Sequence, residues 1–220
     1  MILALETATK VCSVAFYDGE GTISEKRIEQ RGTHSEQLFL FIEELQEEHH
    51  FVLSDLDAVL VSEGPGSYTG LRISASAVKG LLFQSEVPLY GINTLASFAM
   101  QALKEESSVN TIHSIIDARR VHVYHQKFSV SDKQIHTDDE VEVIPIKALE
   151  SMVHSDDVIV GTGLQRIDKL AREKARRTFG PEAISATSLI KLYQAGLTKF
   201  VNEVDPEAFE PKYYTSNQVN

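Results

Sequence analysis

The chain has 220 residues, 42% of them hydrophobic, with 32 acidic against 21 basic side chains and a formal net charge of −11. That length lies between one and two ordinary domains with ample apolar content for a core, and the single Cys12 excludes both an intrachain disulfide framework and a multi-cysteine zinc site. The charge is uneven: residues 1–105 carry 15 acids and 7 bases, so this half repels nucleic acid, whereas residues 106–220 carry 17 and 14.

The opening MILALETATK has neither a basic region nor a small-residue cleavage pattern, and no run approaches the ~18 apolar residues of a membrane helix. A soluble protein of the reducing cytoplasm, without membrane association, is the expectation. ILALE and VCSVAFYD predict two strands joined by TATK, because β-branched and aromatic residues cluster on either side of a short polar turn. TISEKRIEQ predicts a third strand after the Asp18-Gly19-Glu20-Gly21 turn. THSEQLFLFIEELQEEHH reads as a helix with Thr33 as N-cap and Glu36 as its capping-box partner. DAVLV follows as a buried strand, GLRISASAVKGLLFQSE as a helix, VPLYGI as a strand and NTLASFAMQALKEE as a helix capped by Asn93.

KEESSVN reads as a linker, after which IHSIIDARRVHVYHQKF repeats the opening order of strand, acid, small turn and strand, with Asp117 closing its first strand. Two related α/β halves are therefore expected, residues 1–106 and 107–220. Later segments are VIVGTG, a strand and glycine turn; LQRIDKLAREKARRTFG, a charged stretch; SLIKLYQAGLTKF, a helix; and EPKYYTSNQVN, an irregular and partly mobile tail.

The stretch SEGPGSYTGLRIS, residues 62–74, places Gly64, Pro65, Gly66 and Gly70 between a strand and a helix. It matches neither a Walker loop nor a Rossmann fingerprint, and Pro65 and Thr69 stand where a nucleophile elbow around Ser67 needs glycine. Two readings stay open: a loop exposing backbone N–H groups at a helix N-terminus, or a tight turn that lets strand and helix pack. His34 is expected to face solvent or serve as a cap. His122 and His125 fall on opposite faces of a strand, and no histidine pair has the spacing of a helical metal site.

The helix around 34–50 carries Phe39 and Leu40 beside its main stripe, and the helix around 70–84 is rich in Ser74, Ala75, Ser76, Ala77 and Gly80. Their apolar surface exceeds what one side of a sheet requires, which points to a partner interface built from Leu38, Phe41, Ile42, Leu45, Leu71, Ser74, Ala77, Val78 and Leu81; burial within the monomer is the alternative. Arg166, Lys169, Arg172, Lys174, Arg176 and Arg177 form the basic concentration of an acidic chain, either a solvated helix face or a contact for RNA or an acidic partner.

The segments LALETATKVCSVAFYD, THSEQL, SEGPGSYTGLRIS, GINTLASFA, SIIDARRVHVY, VGTG and EPKYY resemble successive motifs of the bacterial TsaB (YeaZ) proteins along the whole chain. The resemblance implies an ASKHA fold (actin-like ATPase, RNase H-like), two duplicated α/β subdomains with mixed sheets flanked by helices. It also implies a non-catalytic partner of a TsaD-like enzyme which, with a TsaE-like ATPase, supports threonylcarbamoylation of N6 of adenosine 37 in tRNAs reading ANN codons. A homodimer is expected when the chain is alone, and tRNA is reached only through the complex. Where the catalytic relatives open a helix with a metal-holding His-x-x-x-His pair, this chain has Asn93-Thr94-Leu95-Ala96-Ser97-Phe98, so neither that metal nor the transfer is expected. Remnants of a nucleotide cleft would comprise Glu6, Thr7, Gly64, Gly66, Asp117, Gly161 and Gly163, with ATP or ADP bound only in the assembled complex if at all. The rival readings are an ASKHA phosphotransferase or ATPase that uses Glu6 or Asp117, and a tRNA-binding module that uses residues 166–177.

Overall fold

The computed structural model describes residues 1–215; residues 216–220, part of the expected irregular tail, lie outside the described residues. The chain opens with β1 (Ile2–Glu6), β2 (Val11–Tyr17), β3 (Ile23–Glu29), α1 (His34–His49), β4 (Ala58–Gly64), α2 (Tyr68–Leu81), β5 (Leu89–Asn93) and α3 (Thr94–Glu105). It continues with β6 (Thr111–Asp117), β7 (His122–Ser131), β8 (Gln134–His136), β9 (Glu142–Pro145), α4 (Ile146–Met152), β10 (Val158–Val160), α5 (Lys169–Lys174), β11 (Arg177–Phe179), α6 (Thr187–Gln194) and β12 (Val201–Val204).

Two compact units result. Unit 1 is Met1–Thr94 with Ser185–Lys212, and unit 2 is Leu95–Ile184 with residues 213–215. This division differs from an expected cut between residues 106 and 107. The physical reason is local: β12 pairs antiparallel with β5, and α6 packs on β1, β2 and β4, so the late segment completes the first sheet.

In unit 1 the strand order is β12-β5-β4-β1-β2-β3, with β1 antiparallel to β2 and parallel to β4, and β4 parallel to β5. Alternation along the strands sends Leu3, Leu5, Val14, Phe16, Val59 and Val61 to one face, where Leu38, Phe41, Ile42 and Leu45 of α1 and Ala77 and Val78 of α2 bury them. The opposite face carries Glu6, Ser13 and Ser62, and there the Ala186 N–H at the start of α6 donates to Ser13 Oγ at 2.8 Å. A sheet with helices on both faces is thus built from period-2 strands and one-sided helices.

Unit 2 repeats the plan, with order β11-β10-β6-β7-β8: β6 is antiparallel to β7 and parallel to β10, β10 is parallel to β11, and β9 joins β7 from outside that path. Its core gathers Ile115, Val123, Ile159, Leu149 and Leu164. The repeated hairpin seen at residues 112–128 is therefore a structural repeat, and the α/β architecture of two mixed sheets flanked by helices is the ASKHA arrangement.

Candidate functional site

The candidate residues fall in both units, and each group is described within its own unit. In unit 1, β1 delivers Glu6 to a site where no part of the residue is exposed. Loss of water around the carboxylate pushes its pKa from 4.5 up to about 7, against the lowering effect of the Ala8 N–H donated at 2.7 Å and of Ser62. Its second oxygen, Oε2, has no hydrogen-bond partner.

The glycine loop lies directly on this first turn. The Ser67 N–H donates to Ala8 O at 2.7 Å, and Thr7 Oγ1 donates to Gly70 O at 2.9 Å. A Cβ on Gly66 would fall far inside contact distance of Ala8 O, and one on Gly70 would meet Thr7 O in the same way, so only glycine permits this approach. Gly64, at φ +121°, meets the Lys212 carbonyl similarly. The tight-turn reading of residues 62–74 accounts for the loop: it seals the β1–β2 turn and sets α2 on the sheet, with Ser67 Oγ capping the helix through Gly70 N at 3.3 Å.

That packing decides how well a nucleotide phosphate would fit unit 1. A phosphate cradle needs backbone N–H groups free to point at it. Here Ala8 N–H is taken by Glu6, Val11 N–H by Thr9 Oγ1 at 3.1 Å and Ser67 N–H by Ala8 O. These three amides are therefore not available to a phosphate. In unit 2, Asp117 Oδ1 accepts Arg119 N–H and Arg166 Nη1, both at 2.8 Å, and Arg166 also donates to Arg120 O. Arg119 and Arg120 occupy left-handed backbone, φ 68° and 50°, where a phosphate turn would carry glycines. Gly161 and Gly163 pack against Ile115, which fixes the turn after β10. Among the described residues, no group of three or more His, Cys, Asp or Glu is placed to hold a metal ion.

The helix surfaces require a correction. Leu38, Phe41, Ile42, Leu45, Leu71, Ser74, Ala77 and Val78 are buried within the chain, and Leu81 is half-buried, so these nine are not an exposed docking face. The helical period that made them conspicuous is the period of the core. What α1 and α2 leave outside is a different set: Phe39 at 44% exposure, Leu40 at 47%, Tyr68 at 55% and, just past α2, Phe83 at 64%.

Two further expectations are corrected. The Thr33–Glu36 capping box does not form; Thr33 has helical dihedrals and its hydroxyl donates to Gln30 O at 3.2 Å. His34 does not face solvent, because its Nε2 bonds Thr9 O at 2.9 Å inside unit 1. In the basic stretch, Arg166 pairs with Asp117, Lys169 with Glu173, and Arg176 and Arg177 share Glu106, so part of its charge is compensated. One polar feature had no signal in spacing. His125 Nε2 lies 3.0 Å from His113 Nδ1, and His113 Nε2 lies 3.2 Å from Asp157 Oδ2, a buried chain across β7, β6 and the entry to β10. Desolvation lowers both histidine pKa values, that of His125 to about 3.

Comparison with known proteins follows the same lines. The family model described as TsaD: tRNA N6-adenosine threonylcarbamoyltransferase matches residues 22–218. The tRNA threonylcarbamoyladenosine biosynthesis protein TsaB of Escherichia coli (strain K12) is 30% identical over 176 residues, 78% of this chain and 75% of that protein. The TsaB protein of Haemophilus influenzae is 38% identical over 125 residues, 56% of this chain and 51% of that protein. Among solved structures, an uncharacterized Pseudomonas aeruginosa protein with similarity to peptidase YEAZ superposes with TM-score 0.81 at 25% identity, over 96% of this chain and 98% of that one. Within the described residues no helix is long and apolar enough to cross a membrane. Sequence and fold converge, and the chain belongs to the TsaB (YeaZ) family.

Proposed function

We propose that this chain takes part in tRNA threonylcarbamoyladenosine biosynthesis as a non-catalytic subunit. In this reading it pairs through the outer faces of α1 and α2 with a TsaD-like enzyme and, with a TsaE-like ATPase, supports threonylcarbamoylation of N6 of adenosine 37 in tRNAs reading ANN codons. Alone, it pairs with a second copy through the same face. It reaches tRNA only through the complex, in the cytoplasm.

The observation that carries the reading is the set of large apolar side chains left outside on the two helices and just past α2: Phe39, Leu40, Tyr68 and Phe83. Large apolar side chains left exposed on adjoining helices supply the area of an association surface, and aromatic anchors supply most of the affinity of one. A non-catalytic role is supported by the segment where the catalytic relatives are expected to hold a metal. Here Thr94, Leu95, Ala96, Ser97 and Phe98 are all buried packing residues, and Thr94 Oγ1 accepts Gly64 N–H at 3.1 Å. The occupied N–H groups of the first turn support the same view, and any ATP or ADP contact then belongs to the assembled complex.

The test is reconstitution of the modification with the cognate TsaD-like enzyme, a TsaE-like ATPase, the adenylate-generating enzyme, ATP and tRNA, with and without this chain. Modification that depends on the chain, with none from the chain alone, is the expected result; equal modification without it sinks the reading. Phe39→Asp with Phe83→Asp tests the face directly. Both sites are exposed, so the fold persists, and complex formation should weaken at least a hundredfold, about 3 kcal/mol. Phe41→Asp or Ala77→Arg would instead break the core.

A further inference from the structure

The outer face of α1 carries charge of one sign. Its sequence HSEQLFLFIEELQEEH holds five glutamates and neither lysine nor arginine. Helical spacing puts Glu36, Leu40, Glu43 and Glu47 on one stripe opposite the buried Leu38, Phe41, Ile42 and Leu45, and all four are exposed. Glu44 and Glu48 lie on the flank toward β3, where Lys26 Nζ approaches them at 3.9 and 2.6 Å. Among the described residues no ion pair engages Glu36, Glu43 or Glu47.

The neighbouring α2, which has two basic residues and no acid, offsets this only in part. Its outward residues Thr69, Ser76 and Gly80 are small, and its basic residues are Arg72, stacked 4.4 Å over the Tyr68 ring, and the half-buried Lys79. The face therefore combines non-selective apolar area with an acidic surplus. Apolar burial holds any partner, whereas charge discriminates between partners.

Resting on the reading of this face as the pairing surface, we infer that the stripe Glu36, Glu43 and Glu47 sets partner choice: it favours a partner whose docking helices carry lysine or arginine and opposes pairing with a second copy. A two-fold axis sets the same patch against itself, so a self-pair brings two acidic surpluses together, while a basic partner turns the same carboxylates into attraction. The homodimer is then a salt-dependent reserve state that a basic partner displaces.

The experiment uses the full chain and the variant Glu36→Lys/Glu43→Lys/Glu47→Lys, all at exposed positions. Self-association is measured by analytical ultracentrifugation at about 50 mM and about 500 mM salt, where exposed charges are weakly and strongly screened. Self-pairing of the native chain should tighten about tenfold as salt rises. An equimolar mixture of native and lysine chains should form the mixed pair in preference to either self-pair, and that mixed pair should loosen with salt. Statistical mixing, or self-pairing that weakens as salt rises, overturns the inference. Phe39→Asp separates the two levels. If it leaves self-pairing and mixed pairing untouched, the face is not the pairing surface and the underlying reading fails; if it weakens them while mixing is statistical, only the charge selection fails.

Discussion

Units 1 and 2 share a strand plan and close their first hairpins by opposite means. In unit 1 the β1–β2 turn is shut by backbone: glycines of the following loop lie against Thr7 and Ala8, and the acid at the strand end is sealed away with one oxygen unpartnered. In unit 2 the β6–β7 turn is held by charge, with Asp117 bonded to Arg119 N–H and to the Arg166 guanidinium at the surface. Steric closure leaves no margin for an added atom, and ionic closure tolerates loss of a partner. The same topology can therefore retain a strand-end acid as a structural element in either dielectric setting.

The comparison breaks most readily at Gly70. Gly70→Ala forces a methyl group against the Thr7 carbonyl, and unit 1 should lose about 3 kcal/mol or more, read by denaturant unfolding followed in unit 1. An unchanged midpoint would mean that the loop is not closed on the turn.

Acidity should push the two units in opposite directions. Glu6 has a raised pKa in the fold, so its contribution is fully present below the unfolded value of 4.5 and is lost as pH rises through about 7. At about 1.4 kcal/mol per pH unit, unit 1 is expected to weaken by roughly 3 kcal/mol across that window. His113 and His125 have lowered pKa values, so their contribution is present above 6.5 and is lost as pH falls; His125, at about 3, keeps losing down to that value. Lys127 faces both histidines and His154 faces His113, each adding positive charge, while Asp157 opposes the shift of His113. By pH 5 the cost at His125 alone is about 2 kcal/mol. Hydrogen exchange resolved by unit at pH 5 and pH 7 should show unit 1 gaining protection in acid and unit 2 losing it. Parallel behaviour would refute the assignment of these groups. Glu6→Gln sharpens the contrast by flattening the slope of unit 1 over the same window and leaving that of unit 2.

The smallest effect belongs to the surface pair. Arg166→Ala should cost no more than about 1 kcal/mol, because Arg166 and Asp117 are both about one third exposed and water screens their attraction. A loss as large as that at Gly70 would erase the distinction between the two closures.

Much of this was legible in the residues. ILALE, VCSVAFY and SIIDARRVHVY carry strand alternation and an acid before a turn, and a hairpin declares itself locally. The candidate site was less so. Period 3.6 marks Leu38, Phe41, Ile42 and Leu45 as one face without saying whether protein or partner covers it, and the covering residues come from strands far away in sequence. The capping box around Thr33 failed for a similar reason: the adjoining His34 is drawn inward to Thr9 O, a contact 25 residues distant. The His125–His113–Asp157 chain spans 44 residues between its last two members and has no period to detect.

The return of residues 185–212 to unit 1 also fixes an order of assembly during synthesis. Unit 2 is drawn mainly from the continuous stretch Leu95–Ile184, so its sheet can close as soon as that stretch has left the ribosome. Unit 1 is begun first and finished last: until α6 and β12 emerge, one face of its sheet lacks the helix that covers it and β5 is an open edge. The nascent chain thus holds an unfinished unit 1 while the middle matures, and emergence of residues 185–212 is the event that completes that unit.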